Sequence, residues 1–141
     1  MEQEIKDKIL NIFSDNVAIH IATSGGEYSP WILGAYFAYD GLDIYCVLET
    51  HGKSFSNVSV NRNIAIEISQ NDASKDFLQG FGVVEILPQS DTEKVLKMIT
   101  DRIPWFKTYT PIVPVKLNIS KYFVSSLAEG WFPAKVYEKR A

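Results

Sequence analysis

The chain has 141 residues, which fits a single domain, and its shares of 46% hydrophobic and 22% charged residues are those of an ordinary globular protein. Its 14 basic and 17 acidic residues give a net charge of −3, which argues against a nucleic-acid-binding protein, and no apolar run is long enough to span a bilayer. The single cysteine, Cys46, excludes an intrachain disulfide, and the acidic N-terminus lacks the pattern of a secretory signal, so we expect a cytoplasmic protein.

The first third of the chain predicts one helix and three strands. Apolar residues recur at helical spacing over Glu2–Phe13, and strand-like runs follow over Val17–Thr23 and Tyr28–Tyr39. Asp40-Gly41 separates the second run from a third, Leu42–Leu48. This pair predicts a tight hairpin, because glycine accepts the positive φ of a type I′ turn.

The rest of the chain adds two helices and further strands. In chain order we predict a short helix over Lys53–Asn61, strands over Ile64–Ile68 and Phe77–Leu87, a helix that Ser90 and Glu93 open as a capping box, and strands over Pro111–Asn118, Lys121–Ser126 and within Gly130–Tyr137. Neighbouring strands joined by hairpins indicate a mostly antiparallel sheet. Six or more strands in so short a chain leave exposed edges unless the sheet closes, so we predict a small barrel.

The segment from Leu48 to Ser54 carries the strongest indication of a binding site. It reads as a strand end, a glycine turn at Gly52 and a helix start. A helix start presents unpaired N–H groups and a partial positive charge, and it is a natural site for phosphate. Lys53 lies in this first turn, where a cation is unfavourable unless an anion neutralises it. The alternative is a solvated lysine on an ordinary helix start.

The order and spacing of these elements resemble the pyridoxamine-phosphate-oxidase-like, FMN-binding split-barrel family. The similarity extends from Val17 to Leu87. The family has the pattern T-x-x-K-x-x-x-N before a short helix, and this chain has Thr50, Lys53 and Asn57 at that spacing. Gly82-Val83-Val84-Glu85 is similar to the G-x-A-E strand of the family. The resemblance implies a six-stranded, mainly β, antiparallel split β-barrel with flanking helices over residues 1–141.

The resemblance also implies FMN at the interface of a homodimer and a flavin-dependent oxidoreductase of unknown substrate. The second strand would line the isoalloxazine, the end of the third strand would flank the ring or ribityl chain, and the second helix would hold the phosphate. These site residues are Ile32, Leu33, Gly34 and Ala35, then Leu48, Glu49 and Thr50, and finally Lys53 and Ser54. Two alternatives are a non-catalytic module that binds flavin, haem or deazaflavin, and an unliganded structural dimer.

Two positions depart from the family pattern near the expected phosphate. Gly52 precedes Lys53 where the family often has a second basic residue, and Arg62 stands where the family usually has proline. Arg62 either supplies the missing charge or is solvated.

Two further residues have two interpretations each. Gln79 lies two residues from the position where the oxidases place a glutamine facing the flavin, and it either faces the site or lies in solvent on an edge strand. Trp131 either closes the pocket of the partner subunit, with Lys135, or packs against the end of the barrel. The two histidines and one cysteine lack metal-ligand spacing, and no catalytic acid or base is assigned.

Overall fold

The structure, a computed structural model, describes residues 1–139. The helices are α1 (Glu2–Asp15), α2 (Lys53–Val60) and α3 (Thr92–Arg102). The strands are β1 (Ala18–Thr23), β2 (Trp31–Tyr36), β3 (Ala38–Asp40), β4 (Asp43–Glu49), β5 (Asn63–Ile68), β6 (Phe77–Ile86), β7 (Ile112–Ser126) and β8 (Trp131–Glu138). No helix within the described range is long and apolar enough to cross a bilayer.

All eight strands belong to one antiparallel sheet, which confirms the predicted fold class. The order is β2-β1-β5-β6-β7-β4-β3, and β8 pairs with β7 beside this path. Only Phe37 separates β2 from β3, so one stretch of chain pairs with β1 in its first half and with β4 in its second half. The sheet therefore curls into a barrel, and a split remains where β2 diverges from the end of β4.

The inner face of the curled sheet and one side of α1 form the main core. Along α1, Ile5, Ile9, Ile12 and Phe13 are buried, at the spacing predicted for an amphipathic helix. The Phe13 ring meets the rings of three other aromatic residues, namely Phe37, Tyr39 and Tyr122. This aromatic cluster fixes α1 against the strands near the β2–β3 junction.

A second, smaller core lies between α3 and the sheet. Val95, Ile99 and Ile103 pack there against Ala38 of β3. The position of α3 matters for the site, because the chain leaving this helix passes the split before it enters β7.

Several predicted boundaries are corrected by the structure. The predicted strand Tyr28–Tyr39 is shorter and is broken at Phe37, and Lys121–Ser126 continues the preceding strand as one 15-residue β7. Ser120 is the extra residue of a bulge opposite the Phe81/Gly82 step, which lets β7 bend without ending. The sheet has eight strands where the resemblance implied six, because β3 is separate from β2 and the strand predicted within Gly130–Tyr137 pairs with β7 as β8.

The predicted capping box at Ser90 is wrong. Gln89–Asp91 form a 3₁₀ turn, and α3 begins at Thr92, with Asp91 as its N-cap. The Thr92 hydroxyl donates to Gln89 Oε1 at 2.9 Å. A 3₁₀ turn thus leads into the helix where a side-chain cap was expected.

Candidate functional site

A cavity of about 340 Å³ occupies the split of the barrel. Its walls are the edge strand β2, the end of β4, the first turn of α2 and the segment that precedes β7. Three charged side chains line it, namely Lys53, Lys107 and Glu49. Two cations and one anion make the cavity positive in a chain whose net charge is −3.

The wall formed by β2 offers free backbone groups, because β2 is an edge of the sheet. In an antiparallel ladder, alternate residues direct both N–H and C=O to the same neighbouring strand. The N–H of Phe37 donates to the carbonyl of Val17 at 3.1 Å, so every second residue back along β2, beginning with Ala35, bonds to β1. The intervening Gly34 and Tyr36 turn their N–H and C=O groups away from β1, toward the cavity that both residues line.

The start of α2 carries donors without acceptors. The N–H of Gly52 donates to the carbonyl of Glu49 at 3.0 Å, which shapes the turn before the helix. The N–H groups of Lys53 and Ser54 have no acceptor within residues 1–139. Ser54 is only 4% exposed, and its hydroxyl also has no hydrogen-bond partner in that range. Three donors without acceptors therefore belong to two consecutive residues at a helix N-terminus, and both residues line the cavity.

The Lys53 side chain lies on aromatic rings at the edge of the cavity. Its Nζ is 5.1 Å from the ring centroid of Tyr28 and 5.5 Å from that of Trp31, and these two rings meet edge to face at 6.0 Å. Among the described residues no carboxylate pairs with it. The ammonium group is thus held in place without being neutralised, which leaves its charge for a ligand.

The wall formed by residues 106–110 was not predicted from the sequence. The segment from Phe106 to Thr110 lines the cavity, and Lys107 lies in it. The Tyr36 ring meets the rings of Trp105 and Phe106 edge to face at 5.0 and 5.8 Å, which fixes the segment against β2. In the sequence this segment is marked only by the aromatic pair Trp105-Phe106 after α3. The segment reaches the cavity because the barrel closes, which local sequence does not reveal.

Lys107, and not Arg62, is the second basic residue of the cavity. Arg62 lies outside the lining of the cavity, in the turn between α2 and β5, and its side chain is exposed. Gly52 lines the cavity at the position where a second basic side chain was missing from the sequence pattern.

Six of the predicted site residues line the cavity together. They are Leu33, Gly34, Ala35, Glu49, Lys53 and Ser54.

Three neighbours of these residues lie elsewhere. Leu48 points into the core and is buried, because residues alternate between the two faces of β4. Ile32 points to the outer face of the sheet, where it is 66% exposed. Thr50 joins the turn to the residue before β7, since its N–H donates to the carbonyl of Pro111 at 3.0 Å.

Gln79 and Trp131 are also placed away from the cavity. Gln79 lies on the outer face of the sheet, where it is exposed and opposite Glu67 and Phe123. Trp131 packs in the main core with 5% of its surface exposed, and the Lys8 ammonium lies 5.9 Å from its ring centroid. For Trp131 the structure shows the second interpretation, packing within the barrel.

Comparisons with known proteins identify the fold. No family model matches the sequence, and no curated protein matches it. A candidate pyridoxamine 5′-phosphate oxidase from Listeria innocua is similar in structure, with 20% identity, a TM-score of 0.70 and coverage of 85% of this chain and 97% of that one. A haem-binding protein from Mycobacterium smegmatis has 12% identity and a TM-score of 0.76, over 94% of this chain and 57% of that one. An F420 reductase has 22% identity and a TM-score of 0.66, over 79% of this chain and 93% of that one.

These three structural similarities cover 85%, 94% and 79% of this chain. The chain has the pyridoxamine-phosphate-oxidase-like split-barrel fold, as the order of its sequence elements predicted.

Proposed function

We propose that the split of this barrel binds FMN and that the protein is a flavin-dependent oxidoreductase of unknown substrate. The observation that carries the proposal is at the α2 N-terminus, where the Ser54 hydroxyl and the first N–H groups have no hydrogen-bond partner in the described part of the chain. A buried polar group without a partner costs about 1–3 kcal/mol. The oxygens of a phosphate supply acceptors for these donors, and their charge suits both the helix terminus and Lys53.

The free edge of β2 fits the ring of the same ligand. The rim of an isoalloxazine bears both donors and acceptors, which match a backbone edge that presents both N–H and C=O groups. Gly34 carries no side chain at this edge, which is consistent with close approach of a flat ligand to the strand backbone. Leu33 and Ala35 add apolar surface on the cavity side.

The role of the protein in this proposal is to bind and orient. FMN supplies hydride or electron transfer when it is bound, and the protein supplies position and electrostatics. The backbone of Gly34 and Tyr36 sets the ring, while Lys53 and Ser54 hold the phosphate. Lys107 also lines the cavity, where its charge favours an anionic ligand or substrate.

We also propose a homodimer with the cofactor at its interface. The support is an apolar stripe on the outer face of the sheet, next to the cavity edge. Ile32 on β2, Phe81 and Val83 on β6 and Val136 on β8 are large apolar side chains exposed on this face. A second copy seated on the stripe would border the ring through Ile32, since its neighbour Gly34 lines the cavity.

A second candidate is a module that holds haem or deazaflavin without turnover. A haem-binding protein and an F420 reductase share the fold. The positive cavity also suits other anionic, planar ligands, because neither Lys53 nor Lys107 is specific for a phosphomonoester.

The test is titration of the purified protein with FMN, riboflavin and haem, followed by absorbance and fluorescence. We expect FMN to bind more tightly than riboflavin, because only FMN carries the phosphate. Bleaching of the bound FMN by a reduced nicotinamide cofactor, NADH or NADPH, would establish an enzyme. A spectrum that neither NADH nor NADPH changes favours the module without turnover. Preferential binding of haem, or equal affinity for FMN and riboflavin, would overturn the FMN proposal.

A further inference from the structure

We infer that Asn57 is a positioning residue that sets Lys53 at the cavity through the loop between β1 and β2 (residues 24–30, the β1–β2 loop). The inference rests on the proposed function, because it names how the phosphate site of that proposal is built. Asn57 itself does not line the cavity.

Asn57 is bonded to the β1–β2 loop and to the end of β1 through its whole amide. It is completely buried. Its Nδ2 donates to Thr23 Oγ1 at 3.0 Å and to the carbonyl of Tyr28 at 2.6 Å, and its Oδ1 accepts from the N–H of Gly26 at 2.9 Å. One side chain of α2 therefore bonds the last residue of β1 and two residues of the β1–β2 loop.

Two glycines allow the loop to lie directly on α2. A Cβ added to Gly26 would overlap Asn57 Oδ1 and come within 3.3 Å of Asn57 Cα. Gly25 has a φ of +104°, and an added Cβ would lie 2.7 Å from Asn61 Cβ. Asn61 also donates through Nδ2 to Ser24 Oγ at 3.2 Å. The contact with α2 thus depends on the absence of side chains at both glycines.

The loop carries Tyr28, and Tyr28 contacts Lys53. The Tyr28 carbonyl that Asn57 bonds belongs to the residue whose ring lies 5.1 Å from Lys53 Nζ. That ring also meets Trp31, the first residue of β2 and the second ring near the ammonium. The contacts therefore run from Asn57 through the loop to two rings and from these rings to Lys53.

Aromatic rings suit this task better than a carboxylate would. A carboxylate would neutralise the lysine and compete with an anionic ligand, whereas rings restrict the side chain and leave its charge available. Asn57 follows Lys53 by one helical turn, so the loop held by Asn57 returns to the part of α2 that bears the lysine.

The test measures the surroundings of Lys53 without any ligand. Rings shift the NMR signals of nearby methylene protons upfield, and the Lys53 signals are identified by their loss in Lys53→Met. We expect upfield Lys53 signals in the wild-type protein, and a return toward ordinary lysine positions in Asn57→Ala and in Tyr28→Leu. Ser59→Ala is the matched control, because Ser59 is exposed on the same helix and its hydroxyl donates only to the carbonyl of Phe55.

A ligand readout separates positioning from general loss of structure. We expect Asn57→Ala and Tyr28→Leu to lower the FMN affinity roughly two- to fivefold, the order of a surface cation–π contact, and to leave the riboflavin affinity unchanged. If Asn57→Ala does not fold, Asn57→Asp replaces it, since it keeps the acceptor for Gly26 and loses the donor to Tyr28.

The outcomes are distinguishable. Unshifted Lys53 signals in the wild-type protein, signals that Asn57→Ala and Asn57→Asp leave unchanged, or equal weakening of FMN and riboflavin would each overturn the inference. If the signals respond as expected but FMN does not bind, the positioning role stands and the proposed cofactor is wrong.

Discussion

A buried hydroxyl without a hydrogen-bond partner is uncommon in folded proteins. The Ser54 hydroxyl has no partner among residues 1–139, and it lies at the place where a ligand is proposed. The family resemblance implied a phosphate contact for this residue, which lies in the first turn of α2. Its burial was not predictable, because it depends on how α2 packs against β2 and β4. The same limit applies to Lys53, whose contact with Tyr28 requires the folded β1–β2 loop.

Ser54→Ala gives opposite signs for stability and binding. We expect the ligand-free variant to be as stable as the wild type or more stable by up to about 1 kcal/mol, because an unsatisfied polar group is removed. We expect FMN affinity to fall about ten- to hundredfold, since a hydrogen bond to a charged phosphate is lost. Urea unfolding and FMN titration measure the two effects, and Ser56→Ala, exposed on the same helix, is the control. A Ser54→Ala variant with normal FMN affinity contradicts the phosphate role.

Cys46 predicts how stability depends on pH. Burial raises the pKa of its thiol to about 12 from an ordinary value of 9.0, so above pH 9 the unfolded chain releases a proton that the folded chain retains. The stability that this group contributes is therefore complete below pH 9 and is lost as the pH rises toward 12. We expect the free energy of unfolding to fall by about 1.4 kcal/mol from this thiol between about pH 8 and about pH 10. Urea unfolding of Cys46→Ala at both pH values should not show this loss of about 1.4 kcal/mol. An equal decline in the free energy of unfolding of the wild type and of Cys46→Ala would contradict the prediction.

Among the helices, strands and turns, the sequence correctly predicted those that depend on residues close together in the chain. The predicted hairpin forms at Gly41, which has a φ of +59°, and α1 buries its predicted face. The turn is not the expected type I′, because Leu42, the second loop residue, does not have the positive φ that this type requires. The break of the second strand at Phe37 was not predictable, because the run of apolar residues is continuous and only the buried Phe37 side chain separates the pairing with β1 from the pairing with β4. A tertiary contact decided this boundary.

Arg102 at the end of α3 joins three elements. Its guanidinium donates to the carbonyls of Phe13 and Asn16 at the end of α1, at 2.9 and 2.7 Å, and to that of Phe37 at 2.7 Å. The group lies 4.8 Å from the ring centroids of Phe37 and Tyr39. Burial lowers the pKa of Arg102, which the nearby Tyr39 partly offsets. The residue therefore caps α1 and holds the β2–β3 junction at once.

Arg102→Met should destabilise the fold substantially. We expect a loss of about 2–3 kcal/mol in the free energy of unfolding, since three carbonyls lose a charged donor. Lys97→Met on the same helix is the control. It removes an exposed ion pair with Asp101, and we expect a loss of about 0.5 kcal/mol or less. Urea denaturation compares the two, and similar losses in both variants would refute the capping role of Arg102.

At the scale of the whole molecule, the site combines one wall that the sequence predicts with one that it does not. Leu48–Ser54 is contiguous, so its strand end, turn and helix start could be recognised from local order. The segment Phe106–Thr110 is far from it in sequence and reaches the cavity only because the sheet curls and α3 packs beside β3 and β4. The alternation along β4 likewise places Leu48 in the core while its neighbour Glu49 lines the cavity.

The proposed homodimer is tested at the stripe on the outer face. Phe81 is 47% exposed there, opposite Ala65 on β5 and Lys121 on β7, so its substitution disturbs no described core contact. A stable interface removes more than about 1,000 Å² from solvent, and a charge at its apolar centre opposes association. We expect sedimentation velocity at micromolar concentration to show a dimer for the wild type and a folded monomer for Phe81→Glu. Leu127→Glu, in the turn between β7 and β8, is the control and should remain dimeric.

Because the cofactor is proposed to lie at the interface, Phe81→Glu should also weaken FMN binding while Leu127→Glu does not. A monomeric wild-type protein would contradict the proposed dimer. A monomeric Phe81→Glu variant that binds FMN normally would show that the cofactor site lies within one subunit.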